Sequence, residues 1–110
     1  MAFKLIKRNK IPVRIKGELP DDNGKAVPFD FTLNCIRLPQ SEIDKVFVDT
    51  KGLVKDFVKR VAEGWDHMQD GEGQPLAFSE ADLDDLLENP GMPAMIYHAY
   101  MKQVAAVAKN

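Results

Sequence analysis

The sequence predicts an α+β fold, an N-terminal antiparallel β-hairpin packed on a helical C-terminal part of three to four helices. Three observations predict it. Two stretches near the N-terminus alternate apolar and polar residues with a period of two, and a turn signal lies between them. From residue 41 the apolar spacing changes to three and four, the period of a helix. Capping and proline signals then cut that region into pieces.

Ile11, Val13 and Ile15 alternate with Pro12, Arg14 and Lys16, and Val27, Phe29, Phe31, Leu33 and Cys35 repeat the pattern. Asn23-Gly24 supplies two residues that tolerate positive φ, so residues 11–19 and 26–37 are expected to pair through a tight turn. After Cys35 the apolar phase slips to Ile36 and Leu38, which signals a bulge or the strand's end. Pro12 and Pro28 cannot donate to a ladder and therefore belong at edges. A lone hairpin is marginal in water, and the segment that follows is the expected cover for its apolar face.

Pro39 closes the strand, and Ser41 with Asp44 three residues later reads as a helix start. Ile43, Val46, Phe47, Val54, Phe57, Val58 and Val61 form one helical stripe through about Gly64, while Gly52 and Thr50 leave open a division into two helices. Trp65 follows as a core anchor. Ser79 with Asp82 starts a short helix striped by Leu83, Leu86 and Leu87, and Asn89-Pro90-Gly91 ends it. Pro93 suits the first turn of a last helix running to about Ala108. The 110 residues make a single domain, with the hairpin at 11–37 and the helical part at 41–108.

Charge is nearly balanced, with 17 acidic against 15 basic residues, but it is segregated. Residues 1–16 carry six Lys or Arg and no acid, and residues 66–90 carry eight acids and no Lys or Arg. The bland account is two solvated faces. The basic end lacks a nucleic-acid reading motif, so nucleic acid is not an expected partner. Self-association of basic end with acidic end is a further expectation. No apolar run approaches the ~18 residues of a membrane span, and no secretory h-region opens the chain. One cysteine, Cys35, excludes an internal disulfide, and a cytoplasmic setting is expected.

The residues do not assemble an active site. The stretch "DHMQDGEG" starts like a calcium loop at Asp66, Asp70 and Gly71, but Met68 and Ala77 fall where oxygen ligands are required. A turn joining two extended pieces is the expectation there, with Gly71 or Gly73 at positive φ. His67 and His98 are far apart and lack partners at ligand spacing, so neither a metal nor a cofactor is expected. Cys35 sits within a strand, poorly placed for attack. The expectation is a non-enzyme.

The last helix carries the functional expectation. Ile96, Tyr97, Tyr100, Met101, Val104 and Val107 cover an arc of roughly 140°, wider than one core contact needs, and Met92 and Met95 extend it. A buried terminal helix accounts for this pattern. So does a helix with two contacts, one to its own core and one to a partner. Flexible methionines and tyrosine tips suit adaptable surfaces. Met95, Tyr97, Tyr100, Met101 and Val104 are the candidate partner-binding residues.

Trp65, Asp70-Gly71, Pro75, Phe78-Ser79, Leu86-Leu87, Pro90 and Ala99-Tyr100 together resemble the tail assembly chaperones of long-tailed bacteriophages. The resemblance covers residues 65–100 well and the N-terminal third only in general order. It implies a small protein of the host cytoplasm, absent from the mature virion. Its implied partners are the tape measure protein, kept extended while the tail tube forms, and the tail tube protein. Many such chaperones have a second, frameshifted form, and Ala108-Lys109-Asn110 can be encoded by a slippery run. The rival expectations are a structural virion component, such as a tail-tube or head–tail connector subunit, and a small nucleic-acid-binding regulator.

Overall fold

The computed structural model describes residues 9–106. The chain runs β1 (Lys10–Pro20), β2 (Ala26–Ile36), α1 (Gln40–Asp49), α2 (Val54–Val61), β3 (Ala62–Asp66), α3 (Glu80–Leu87) and α4 (Met92–Val104). This is the α+β architecture expected, with the hairpin extended by a third strand into an antiparallel sheet of order β1-β2-β3. The basic residues before Asn9, and Val107 to the chain's last residue, lie outside the described part.

The alternation of the sequence becomes the two faces of the sheet. Val13 pairs with Leu33 and Leu33 with Trp65, so one buried row crosses all three strands. Ile15 and Phe31 form the next row, also buried. Lys10, Arg14, Lys16 and Asp30 point to the opposite, solvated face, where Arg14 Nε donates to Asp30 at 2.9 Å. The guanidinium bond, then the charge, holds the Asp30 carboxyl below its ordinary range.

Backbone polarity fixes the edges. Arg37 N donates to Asn9 O at 2.8 Å, and Asp21 N donates to Lys25 O at 2.8 Å. Both pairs continue the β1–β2 register, so the odd-numbered residues of β1 direct their N–H and C=O groups at β2. The even-numbered ones, Pro12 among them, direct theirs out of the sheet. Pro28 lies on the stretch of β2 that β3 does not reach. Neither proline therefore costs a ladder bond.

The hairpin turn differs from expectation. Only Gly24 takes positive φ, and Asn23 does not. Asp21 Oδ1 accepts from Asn23 N and Lys25 N, and Gly24 N donates to Asp21 O. The longer loop wins because an Asp at its start satisfies two loop amides at once. The acidic turn repeats it. Asp70 Oδ1 accepts from Glu72 N at 2.9 Å and Gln74 N at 3.0 Å, Gly73 N donates to Asp70 O, and Gly73 has φ 80°. "DGEG" is thus a turn joining two extended pieces, bridged at Gln69 and Pro75. The Asp70 carboxylate is spent on its own backbone.

The middle region also departs from the reading. The helix starts at Gln40 after Pro39, whose φ of −67° and extended ψ pre-set the entry, and Ser41 lies inside the first turn rather than capping it. Left-handed Lys51 and Gly52 then break the stripe into α1 and α2. The second helix stops at Val61, not Gly64, because Ala62 is already extended and pairs with Cys35. A bulge at Asn34/Cys35 absorbs the odd residue Glu63.

The cover of the sheet is α4, which packs on β1 and against α2; the segment directly after the hairpin does not supply it. Gly17 permits the contact. A Cβ there would sit 2.8 Å from the Phe29 ring tip and 3.2 Å from the Met95 methyl. Gly17→Ala is expected to lower stability by ~1–3 kcal/mol through overpacking. A denaturant midpoint unchanged from wild type would mean that the Phe29 ring and the Met95 methyl do not hold the close packing over Gly17.

Candidate docking surface on the last helix

The last helix is built from its two ends. Gly91, at φ 84°, turns the chain after Asn89-Pro90, and Pro93 lies in the first turn. Met92, Ile96, Tyr100 and Val104 recur every four residues and are buried. Tyr100 is wholly enclosed. Its hydroxyl donates to Ile36 O at 2.8 Å and accepts from Leu38 N at 3.0 Å. One side chain thus satisfies both backbone groups where β2 leaves the sheet for α1. Arg37 Nη2 donates to Val104 O at 3.0 Å, taking a carbonyl that the helix end leaves unpaired, and the helix stops there rather than at Ala108.

These contacts divide the five candidate residues. Tyr100 faces the chain's own core and offers no surface in this conformation, and Val104 is buried as well, reaching the surface only along the groove that holds Met101. Tyr97 is half-buried, edge-on to Phe47 and Phe57 with ring centroids 5.5 and 5.3 Å away. Burial raises its hydroxyl above the ordinary tyrosine range. Met101 is half-buried in a shallow groove with Leu38, Ile43 and Ala105. Met95, 37% exposed, lies on the opposite flank, beside β1. At ~100° per residue, Met95 and Tyr97 are about 160° apart around the helix. The candidates therefore form two flanks with the core stripe between them.

Sequence reasoning missed the residues that complete each flank. Leu38 and Ile43 join Met101, and Ala99, Lys102 and Gln103 line a groove with Pro12 to Lys16. No local pattern could name them, since they come from elements brought together by tertiary contact. The only signal was the width of the apolar arc, which records two flanks without saying what lies beside each.

The rest of the segment that begins at Trp65 supports this helix. Trp65 Nε1 donates to Leu76 O at 2.8 Å, and its ring meets Phe78 at a tilt of 75° with centroids 4.9 Å apart. The acidic loop is thereby folded back on β3. Ser79 Oγ accepts from Asp82 N, the cap expected for α3. Across the α2–α3 face, Lys59 Nζ lies 2.8 Å from an Asp84 oxygen. The Lys59 hydrogen bond holds the Asp84 carboxyl below its ordinary range.

The reactive side chains are not brought together. Cys35 is buried, and desolvation first, then the Glu63 charge, pushes its thiol up to about 12. Its Sγ leans on Leu33 O at 3.7 Å. A thiol so held is protonated at neutral pH and unsuited to nucleophilic attack. Among the described residues no three His, Cys, Asp or Glu side chains gather as metal ligands would, and no helix is long and apolar enough to cross a membrane.

Comparison with protein-family models, with curated proteins and with solved structures finds no match to this chain. The class that can be stated from the structure is an α+β domain with helices on one face of a three-stranded antiparallel sheet.

Proposed function

We propose that this chain is a binding protein without catalytic activity, a tail assembly chaperone of the kind made by long-tailed bacteriophages. It acts in the host cytoplasm and is absent from the finished particle. Its client is the tape measure protein, held extended while tail tube protein assembles around it. The observation that carries the reading is the state of α4. One side is locked into the core by Tyr100 and Arg37, while Tyr97 remains half-exposed against Phe47 and Phe57, and Met101 half-exposed in the groove with Leu38 and Ile43, which Arg37 and Gln40 also line. A fixed helix with a soft, methionine-bearing flank suits a long helical client of variable surface. Repeated weak contacts along such a client add through effective concentration.

The test is to ask whether a neighbouring long open reading frame encodes a tape measure protein, as the reading requires, and to co-express that protein with this chain. The wild-type chain should keep it in the supernatant and co-purify with it. Met101→Asp should reduce recovery of the complex about tenfold while leaving the melting temperature within a few degrees of wild type. Full recovery with Met101→Asp would move the client site off this flank, and a tape measure protein equally soluble alone would remove the chaperone role. A structural virion component is the second reading, favoured by the hairpin end at Pro20–Pro28, which is exposed throughout. Mass spectrometry of purified particles separates the two, since only the second reading places the chain in them.

A further inference from the structure

Among the described residues no strand pairs with the outer edge of β1. The ladder register directs the even-numbered backbone groups to that side, so Arg14, Lys16 and Glu18 each present an outward N–H and C=O, and Pro12 presents a C=O. Pro12 and Pro20 carry no N–H and close the row of donors at both ends. What remains is a short window of three donors and their carbonyls. Met95, Ala99, Lys102 and Gln103 of α4 run along it, forming a groove with an open strand on one wall and a helix on the other. That is the arrangement in which an extended segment adds to a sheet through its main chain, while a neighbouring helix receives alternate side chains.

The charges select the occupant. Arg14, already bonded to Asp30, stands with Lys16 and Glu18 on the solvated face of the window, and Lys102 stands on the helix wall. Lys10 lies just beyond the window, 3.9 Å from Glu63. Among the described residues Lys16 and Lys102 have no anionic partner within salt-bridge distance. A second copy of β1 meets a like charge directly opposite in the two-fold registers centred between Arg14 and Lys16, whereas the register centred on Gly17 sets Lys16 opposite Glu18, so self-pairing is an outcome the experiment has to exclude. Cations and prolines on an edge are a common defence against self-pairing. Here the same cations would attract an acidic strand.

We propose that the β1 edge between Pro12 and Pro20 is a docking site for an extended acidic segment of a partner protein, which adds as a fourth strand beside α4. Its alternate apolar side chains lie on Met95 and Ala99, and its acids face Lys16 and Lys102, the cations of the groove that have no anionic partner among the described residues. The inference is independent of the chaperone reading, because Met101 and its groove lie on the other flank of the helix.

The test uses two synthetic eight-residue peptides, one alternating Val with Glu and one alternating Val with Lys. The full chain should bind the Glu peptide in fluorescence anisotropy, and the Lys peptide at least about tenfold more weakly. Binding should slow amide hydrogen exchange at Arg14, Lys16 and Glu18, and leave Val13 and Ile15 unchanged because they already bond to β2. Lys16→Pro removes an outward N–H without touching the β1–β2 ladder, so it should abolish binding. Lys102→Glu, outside the strand, should weaken the Glu peptide about tenfold by charge alone, whether or not Lys16→Pro folds. The proposal is overturned if the Glu peptide fails to bind at millimolar concentration, if the two peptides bind alike, or if Lys102→Glu binds the Glu peptide as wild type does. It is also overturned if the chain alone is a dimer with the Arg14 and Lys16 amides already protected, which would mean that a second copy holds the edge.

Discussion

Trp65→Ala is expected to lower the free energy of unfolding by ~3–5 kcal/mol, the range for a large aromatic removed from a core. The reason lies in three contacts made by one side chain. Its ring is buried in the row with Leu33 and Val13, and it stacks edge-on against Phe78. Its Nε1 holds Leu76 O, which otherwise has to find water at a half-buried site. Native domains are stable by only ~5–15 kcal/mol, so the variant should lose a large share of the total. Chemical denaturation with matched m-values reads the effect directly. Trp65→Phe separates the contributions, since it keeps most of the apolar ring and loses the donor. Its expected cost is ~1–2 kcal/mol. A loss below about 1 kcal/mol for Trp65→Ala would mean that the ring is exposed in solution and that the acidic loop is not folded back on β3.

Tyr100→Phe should cost about 2 kcal/mol although it deletes a single oxygen. The hydroxyl is both donor to Ile36 O and acceptor for Leu38 N, and it belongs to a ring that is wholly enclosed. Two backbone groups at the β2–α1 joint lose their partner at once. Tyr100→Ala adds a cavity and should cost ~3–5 kcal/mol. The Phe variant is the sharper test. If it matched wild type in denaturation, the hydroxyl would not be bridging the joint, and the fixed placement of α4 would lose its main support. Burial, ahead of any other influence, also raises this hydroxyl's pKa, so it stays protonated through the neutral range as the bridge requires.

The two effects come from residues of different legibility. Trp65 could be named as an anchor because a lone tryptophan between two apolar stretches has few places to go. Its partner strand could not. "AEGWD" is short, contains Gly and Ala, and continues the stripe of Val58 and Val61, so local pattern favoured more helix. The open side of β2 at Thr32 to Cys35 overrode it, because pairing there buries Trp65 against Leu33. Tyr100 was legible as part of an apolar arc, but its direction was not. Around a helix with apolar residues on more than one core's width, periodicity cannot say which part faces inward. The candidate set therefore mixed two buried residues, Tyr100 and Val104, with Met95 on one flank and Tyr97 and Met101 on the other.

What the sequence by itself determined is local in origin. It set the β1 and β2 alternation, the two Asp-led turns with their glycines, the Ser79 cap and the Pro90-Gly91 break. Each is decided by side chains within a few residues of one another, where sterics and short hydrogen bonds act regardless of the rest of the chain. Only the tertiary structure decided the third strand, the choice of α4 over α1 as the cover of the sheet, and the open edge of β1 beside it. Those outcomes turn on which surfaces lose water together. The packing of Met95 over Gly17, where a Cβ would meet its methyl at 3.2 Å, or a hydroxyl reaching across to Ile36, exists only after distant segments have met. The free energy of that meeting comes from burying apolar area and from pairing every polar group enclosed with it. Neither quantity belongs to any one stretch of the chain.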